Sequence, residues 1–215
     1  MLNRQVFMSS IGAALLPGGF DRAQWHCLQG AIERWEATAE PRLAPADLAR
    51  CLAMAWHETG GTLRPFHEAG SVDIFTRLYD IDGDAPERAR ALGNDASADG
   101  VMFAGRGLVP LVGKAAYAKA TAALQKLGVL GPEESLVEDP DRALDPAIAV
   151  ALLIEGVPAG WFVELDAGDT LAAMAAEGGY ETFLEDRARR HGPDRAGLIA
   201  GHAEKFLAAL QAAAA

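Results

Sequence analysis

Apolar residues recur at helical intervals along most of the chain. Behind Asp21, the residues Trp25, Leu28, Ile32 and Trp35 fall at i, i+3, i+7 and i+10, a stripe that one helix face would turn toward a core. Asp21 suits the N-cap of that helix, because its carboxylate can accept from an early unpaired N–H. Residues 45–57 repeat the pattern with Leu48, Leu52 and Trp56, and the leading Pro45 stands where no backbone N–H is needed. Gly60-Gly61 then stops the helix. Upstream, Val6, Phe7, Met8, Ile11 and Leu15-Leu16 make a first helix that closes at Pro17-Gly18-Gly19. Further helical periodicities cover 114–127, 146–156, 168–176, 179–190 and 194–213, with turns at Gly131-Pro132, Asp139-Pro140 and Gly156-Val157-Pro158. No run of β-branched residues alternates over strand length, so any sheet is small.

One stretch breaks the helical rhythm. From Gly70 to Gly107 the chain is rich in Gly and Asp, and only residues 86–92 carry a short amphipathic piece. An irregular insert of that length in a compact domain is expected to be functional or mobile. Asp80 to Asp84 has the look of a calcium loop but lacks the twelfth-position Glu, which is Ala91, so a solvated turn is expected.

Composition narrows the classes. A chain of 215 residues, half of them apolar, buries enough surface to fold as one soluble domain spanning 1–215, with or without two lobes. The net charge of −11 repels polyphosphates and anionic membranes, which argues against nucleic acid as a partner. Cys27 and Cys51 lie in apolar helical patterns and are expected as buried, reduced thiols. The apolar start is interrupted by Ser9, Ser10 and Gly12 and lacks a small-x-small cleavage site, so a first helix is expected there and not a signal peptide or anchor. No other segment approaches the length of a membrane span. Synthesis in the cytoplasm is expected, with any route outward supplied by another factor.

Chemistry concentrates in His57-Glu58-Thr59-Gly60-Gly61 and Pro65-Phe66-His67-Glu68. Glu58 falls in the last turn of a strongly apolar helix, where burial and the negative end of the helix dipole both disfavour the carboxylate, as a general acid requires. Glu68 follows beyond a Gly-Gly turn, in a segment free to fold back across a groove. Two carboxylates in unlike environments are the minimum apparatus for glycosidic hydrolysis, one donating a proton and one activating water. The same two residues would serve equally as solvated surface acids in so acidic a chain. A zinc site finds little support, since the H-E-x-x-H spacing is absent, and no metal or other cofactor is expected. No nucleophile elbow surrounds any serine, and neither cysteine has a histidine partner motif. Gly105-Arg106-Gly107 is short, and an arginine in a glycine turn usually belongs to the surface.

Seven strings taken together resemble glycoside hydrolase family 19, and more narrowly the chitinase-like endolysins of phages and prophages. They are Ala55 to Gly61, Pro65 to Glu68, Leu78-Tyr79-Asp80, Leu92-Gly93-Asn94, Asp99-Gly100, Gly105-Arg106-Gly107 and Gly160-Trp161-Phe162. Phe20 to Trp35 resembles the family's first conserved helix, and residues 194–206 its closing one. The resemblance implies an all-α, lysozyme-like fold of two lobes flanking a substrate cleft, and inverting cleavage of β-1,4-linked amino-sugar polymers. By position, Glu58 would be the general acid and Glu68 the general base, with carboxyls about 6.5–9.5 Å apart to admit a water. Arg106 would sit below the acid and balance the cleft's charge, and Tyr117 would line the cleft or its floor. His57, Thr59 and His191 complete the candidate substrate-binding set.

The chain also departs from the family pattern. After Gly-Arg-Gly it reads Leu108-Val109-Pro110-Leu111-Val112-Gly113, so an amide gives way to Pro110 and a hydroxyl to Val112. Near the end, Arg190-His191-Gly192 replaces the family's Ile-Asn-Gly. Losing three polar groups from one cleft weakens sugar binding. Either His191 and Thr59 supply a different polar set, or the chain is a weakly active or inactive descendant with a binding or structural role in a phage-like particle or toward a protein partner. The expectation is a peptidoglycan-cleaving enzyme that reaches the cell wall after release by another factor. Peptidoglycan is preferred to chitin because the chain is short, lacks a disulfide framework and resembles the phage-type members.

Overall fold

The computed structural model describes residues 1–38, 43–162 and 193–214, and among them the chain is mostly helical with one two-stranded sheet. An all-α class is therefore observed. The predicted helices 168–176 and 179–190, and with them His191, lie outside the described residues. Two compact units form, the first from residues 1–64 with the C-terminal helix, the second from the described residues 65–162.

The first unit contains α1 (Arg4–Leu15), α2 (Arg22–Ala37), α3 (Pro45–Glu58) and the C-terminal helix α9 (Pro193–Ala214). Local chemistry starts α2 and α3 as the sequence suggests, and Asn3 adds a cap to α1. Asn3 Oδ1 accepts from the Val6 N–H at 3.2 Å. Asp21 and Gln24 form a reciprocal capping box, at 2.8 and 2.9 Å. Pro45 occupies the first turn of α3. Both α1 and α3 pack on α9, burying Phe7 and Ile11, Leu48 and Leu52, and Ile199, Phe206 and Leu210. Each such side chain withdraws enough apolar surface to stabilise the fold by about 1.5–3 kcal/mol. The Asn3 N–H closes the first unit by donating to Ala213 O at 2.9 Å. Cys27 and Cys51 are free and buried, and burial pushes the Cys27 thiol up to about 12, which leaves it inert.

Trp25 corrects the predicted stripe. Leu28, Ile32 and Trp35 are buried as expected, but Trp25 is 41% exposed. Its ring stands edge-on to Phe20 at 5.8 Å and its Nε1–H donates to Gln29, one turn along the same helix. Trp25, Phe7, Met8, Leu16, Phe20 and Ile32 line an apolar groove of about 630 Å³ between α1 and α2.

The second unit holds β1 (Phe66–His67), α4 (Val72–Tyr79), α5 (Pro86–Ala91), α6 (Asp99–Met102), β2 (Arg106–Gly107), α7 (Lys114–Lys126) and α8 (Pro146–Ala151), the last running into a wide turn over Leu152–Gly156. The insert predicted to be irregular carries two helices beyond the expected piece at 86–92, α4 and the single turn α6, joined by turns. Ser71 Oγ caps α4 by accepting from the Ile74 N–H, and Phe75 and Tyr79, one turn apart, lead the helix into a core with Leu92, Ala104 and Val112. Its polar residues turn inward to satisfy backbone. Asn94, fully buried, donates to Tyr79 O at 2.8 Å and accepts from the Lys114 N–H at 2.9 Å. Asp99 Oδ2 accepts from the Asp95 and Ala96 N–H groups, both at 3.0 Å. Asp80 is 1% exposed and accepts from the Gly100 N–H, so it organises a buried turn and is not the solvated one expected.

Candidate active site

Each unit presents one of the two candidate acids, and each does so by different means. In the first unit Glu58 ends α3, half-buried, and the chain behind it is fixed by a dense set of local bonds. Thr59 Oγ1 donates to Ala55 O at 2.7 Å and accepts from the Leu63 N–H at 3.0 Å. The Gly61 N–H donates to Trp56 O at 2.8 Å, and Gly61 O accepts from Gln24 Nε2 at 2.8 Å. Gly61 has φ +79°, and a Cβ there would meet the Trp56 indole at 3.0 Å, so glycine is required for both conformation and close approach. Leu63, fully buried, takes φ +50°, which strains a branched residue and holds the loop in one shape. Arg64 pairs with Asp21 at 3.0 Å, tying the loop back to the start of α2.

Behind Glu58, the Trp56 ring leans edge-on to His202 at 6.1 Å and to Phe206 at 6.3 Å, both on α9. His202 Nδ1 is buried without a hydrogen-bond partner among the described residues. Burial first, then Lys205 and His57, lowers the His202 pKa. His57, half-buried in the last turn of α3, thus neighbours a second histidine in the same unit.

In the second unit Glu68 leaves β1, which pairs antiparallel with β2, Phe66 opposite Gly107 and His67 opposite Arg106. Two strings of the family resemblance thus lie side by side as the small sheet. The Glu68 N–H donates to Gly105 O at 2.7 Å. The half-buried carboxylate accepts at both oxygens, from Tyr79 Oη at 2.8 Å on Oε1 and from the Gly105 N–H at 3.1 Å on Oε2. A Cβ on Gly105 would come within 3.0 Å of Oε2 and 2.8 Å of Pro110 Cβ, so only glycine lets the strand approach this closely. His67 is exposed, its Nδ1 2.8 Å from Glu68 O, and its ring packs against Phe75.

Arg106 is buried, contrary to the surface position expected of an arginine between glycines. Its Nε donates to Asp141 Oδ1 at 2.7 Å, and Nη1 donates to the carbonyls of Met102 at 3.0 Å and Ala104 at 2.9 Å and to Tyr117 Oη at 3.3 Å. Tyr117 is wholly buried and itself donates to Ala104 O at 3.0 Å, and burial pushes its phenol up to about 12. It supports Arg106 from inside and offers no surface to a sugar. Val112 is 4% exposed, packed with Phe75, Tyr79 and Leu92. The position read as a missing sugar contact is therefore a core position, where a valine needs no hydrogen bond.

Sequence reasoning missed Tyr79 and Gly105 as partners of Glu68 and Asp141 as partner of Arg106. Tyr79 carried a signal, one helical turn beyond Phe75; Asp141, 35 residues from Arg106, carried none. Among the described residues no group of three or more His, Cys, Asp or Glu is arranged to hold a metal ion. No helix among them is long and apolar enough to cross a membrane. No carboxylate of the described residues lines the groove between α1 and α2. No family model, curated protein or solved structure matches the chain.

Proposed function

We propose that this protein is a glycoside hydrolase of the family 19 type, with a lysozyme-like fold, that cleaves β-1,4 linkages of peptidoglycan with inversion. Glu58 gives its proton to the leaving glycosidic oxygen as the bond to the anomeric carbon breaks. Glu68 takes a proton from the water that attacks the same carbon. The observation that carries the reading is the state of Glu68. Its carboxylate accepts one hydrogen bond on each oxygen, from Tyr79 and Gly105, and its residue donors come from strings that bear the family resemblance. One donor on each oxygen holds the carboxylate in place and leaves acceptor capacity on both oxygens for a water. Glu58 at a helix end, on a loop bound at Thr59, Gly61 and Arg64, has the fixed backbone a proton donor needs.

His57 and Thr59 flank the acid in sequence, but the Thr59 hydroxyl is already engaged with Ala55 and Leu63. Substrate contacts in this reading fall to His57 and His191, with Arg106 and Tyr117 as support. The role is that of an endolysin of phage or prophage kind, made in the cytoplasm and brought to the wall by another factor. The test is digestion of purified sacculi followed by proton NMR of the fresh reducing ends. Initial appearance of the α-anomer from a β-linkage supports inversion, whereas a β-anomer requires a different mechanism.

A second reading has its own observation. Pro110, half-buried, stands where the resemblance calls for an amide and offers no side-chain hydrogen bond. A chain that keeps the fold but binds sugar weakly would act as a binding or structural module with a protein partner. Absence of any wall digestion from the folded chain, together with weak or no affinity for sacculi, favours it.

A further inference from the structure

We propose that Tyr79 is the positioning residue of Glu68: its hydroxyl holds the carboxylate in the orientation in which it accepts a proton from water. The inference rests on the hydrolase reading for its consequence in catalysis, and on geometry for the interaction itself. Tyr79 is 4% exposed, yet its hydroxyl reaches a half-buried carboxylate oxygen at 2.8 Å. Every part of the residue is fixed. Phe75 stacks against the ring at 6.2 Å with planes 14° apart. The Arg88 guanidinium carbon lies 4.9 Å from the ring centroid, a cation over a π-face. The buried Asn94 amide donates to the backbone carbonyl. Val112 and Leu92 fill the remaining core around it.

A phenol held this way has little freedom left to lose when it donates, so the hydrogen bond is preorganised. Donation to an ionised acceptor is about twice as strong as a neutral bond. The Gly105 N–H holds the other oxygen, and the two donors together fix the rotation of the carboxyl about its last bond. Tyr79 keeps its proton throughout; the proton taken from water goes to Glu68. Arg88 adds to the effect, because a cation over the ring draws electron density from it and makes the hydroxyl a better donor.

The experiment compares wild type, Tyr79→Phe and a protein carrying 3-fluorotyrosine at position 79 in sacculus digestion across pH. Tyr79→Phe keeps the ring and loses only the donor. Its kcat is expected to fall about tenfold, the loss of one hydrogen bond to a charged group, with KM within about twofold. The acidic limb of its pH profile moves to higher pH, because the charged form of the base has lost a donor. Fluorotyrosine is a stronger donor and moves that limb the opposite way. A merely structural tyrosine would give parallel profiles in all three proteins, and that result overturns the inference while leaving the hydrolase reading intact. A second measurement separates the two: the carboxyl carbon of Glu68, labelled and assigned by its loss in Glu68→Gln, is titrated by NMR in wild type and Tyr79→Phe. Displacement to higher pH in the variant upholds the positioning role even for a chain that digests no wall, and coincident curves overturn it whatever the activity.

Discussion

Glu58 and Glu68 are ten residues apart in the chain and stand on opposite kinds of support. Glu58 ends a helix whose place is set by hydrocarbon: Leu48 and Leu52 in the core, Trp56 against Phe206 and His202. Glu68 stands on a two-residue strand whose place is set by polar bonds to Gly105, Tyr79 and, one strand over, the buried Arg106. Apolar support is redundant, since many weak contacts share the work. Polar support is sparse, so single atoms matter. Losing one donor in the second unit is therefore expected to cost more than losing one polar atom in the first.

Arg106 gives the largest test of that contrast. Arg106→Met keeps the volume but leaves the Met102 carbonyl and the Tyr117 hydroxyl without their charged donor, and a loss of about 3 kcal/mol is expected in denaturant unfolding. The Asp141 pair contributes little to this figure, because Asp141 is 71% exposed. A loss below about 1 kcal/mol would show that the polar network is not what holds β2. Val112→Thr comes next. Placing a hydroxyl among Phe75, Tyr79 and Leu92 is expected to cost about 1–2 kcal/mol with no gain in turnover. A rise in turnover would return position 112 to the sugar-binding surface.

The smallest effect belongs to the first unit and appears as pH dependence. The pKa of His202 lies below its ordinary 6.5 in the folded chain, with burial the main cause and Lys205 and His57 adding to it. The unfolded chain therefore takes up a proton first as pH falls through 6.5. Stability contributed by neutral His202 is present above that value and declines below it. Melting temperatures measured from pH 7.5 to 5.5 are expected to fall in wild type, and to fall less in His202→Gln. Equal slopes would remove His202 from the account.

The two supports also differ in how far the sequence disclosed them. The helix carrying Glu58 was legible from its period, its leading proline and its closing Gly-Gly pair, because packing repeats and repetition is readable. The fold class and the smallness of the sheet were legible on the same grounds. Helix α4 was not, because the Gly- and Asp-rich composition around it outweighs the two-residue signal of Phe75 and Tyr79. Asp80, Asn94 and Asp99 look like surface residues by type, and their burial depends on backbone N–H groups that folding brings to them. Arg106 was misread for the same reason. Its partners Met102 and Ala104 contribute main-chain carbonyls, which no side-chain pattern records. Trp25 shows the converse error, a periodic apolar residue that none of the described elements covers fully.

The central claim is that both carboxyls do chemistry, and mass spectrometry of muropeptides released from purified sacculi tests it most directly. Wild type is expected to release disaccharide-peptides with one defined reducing sugar, while Glu58→Gln and Glu68→Gln, each folded by circular dichroism, lose at least about a thousandfold in rate. Release by either variant at the wild-type rate would contradict the account.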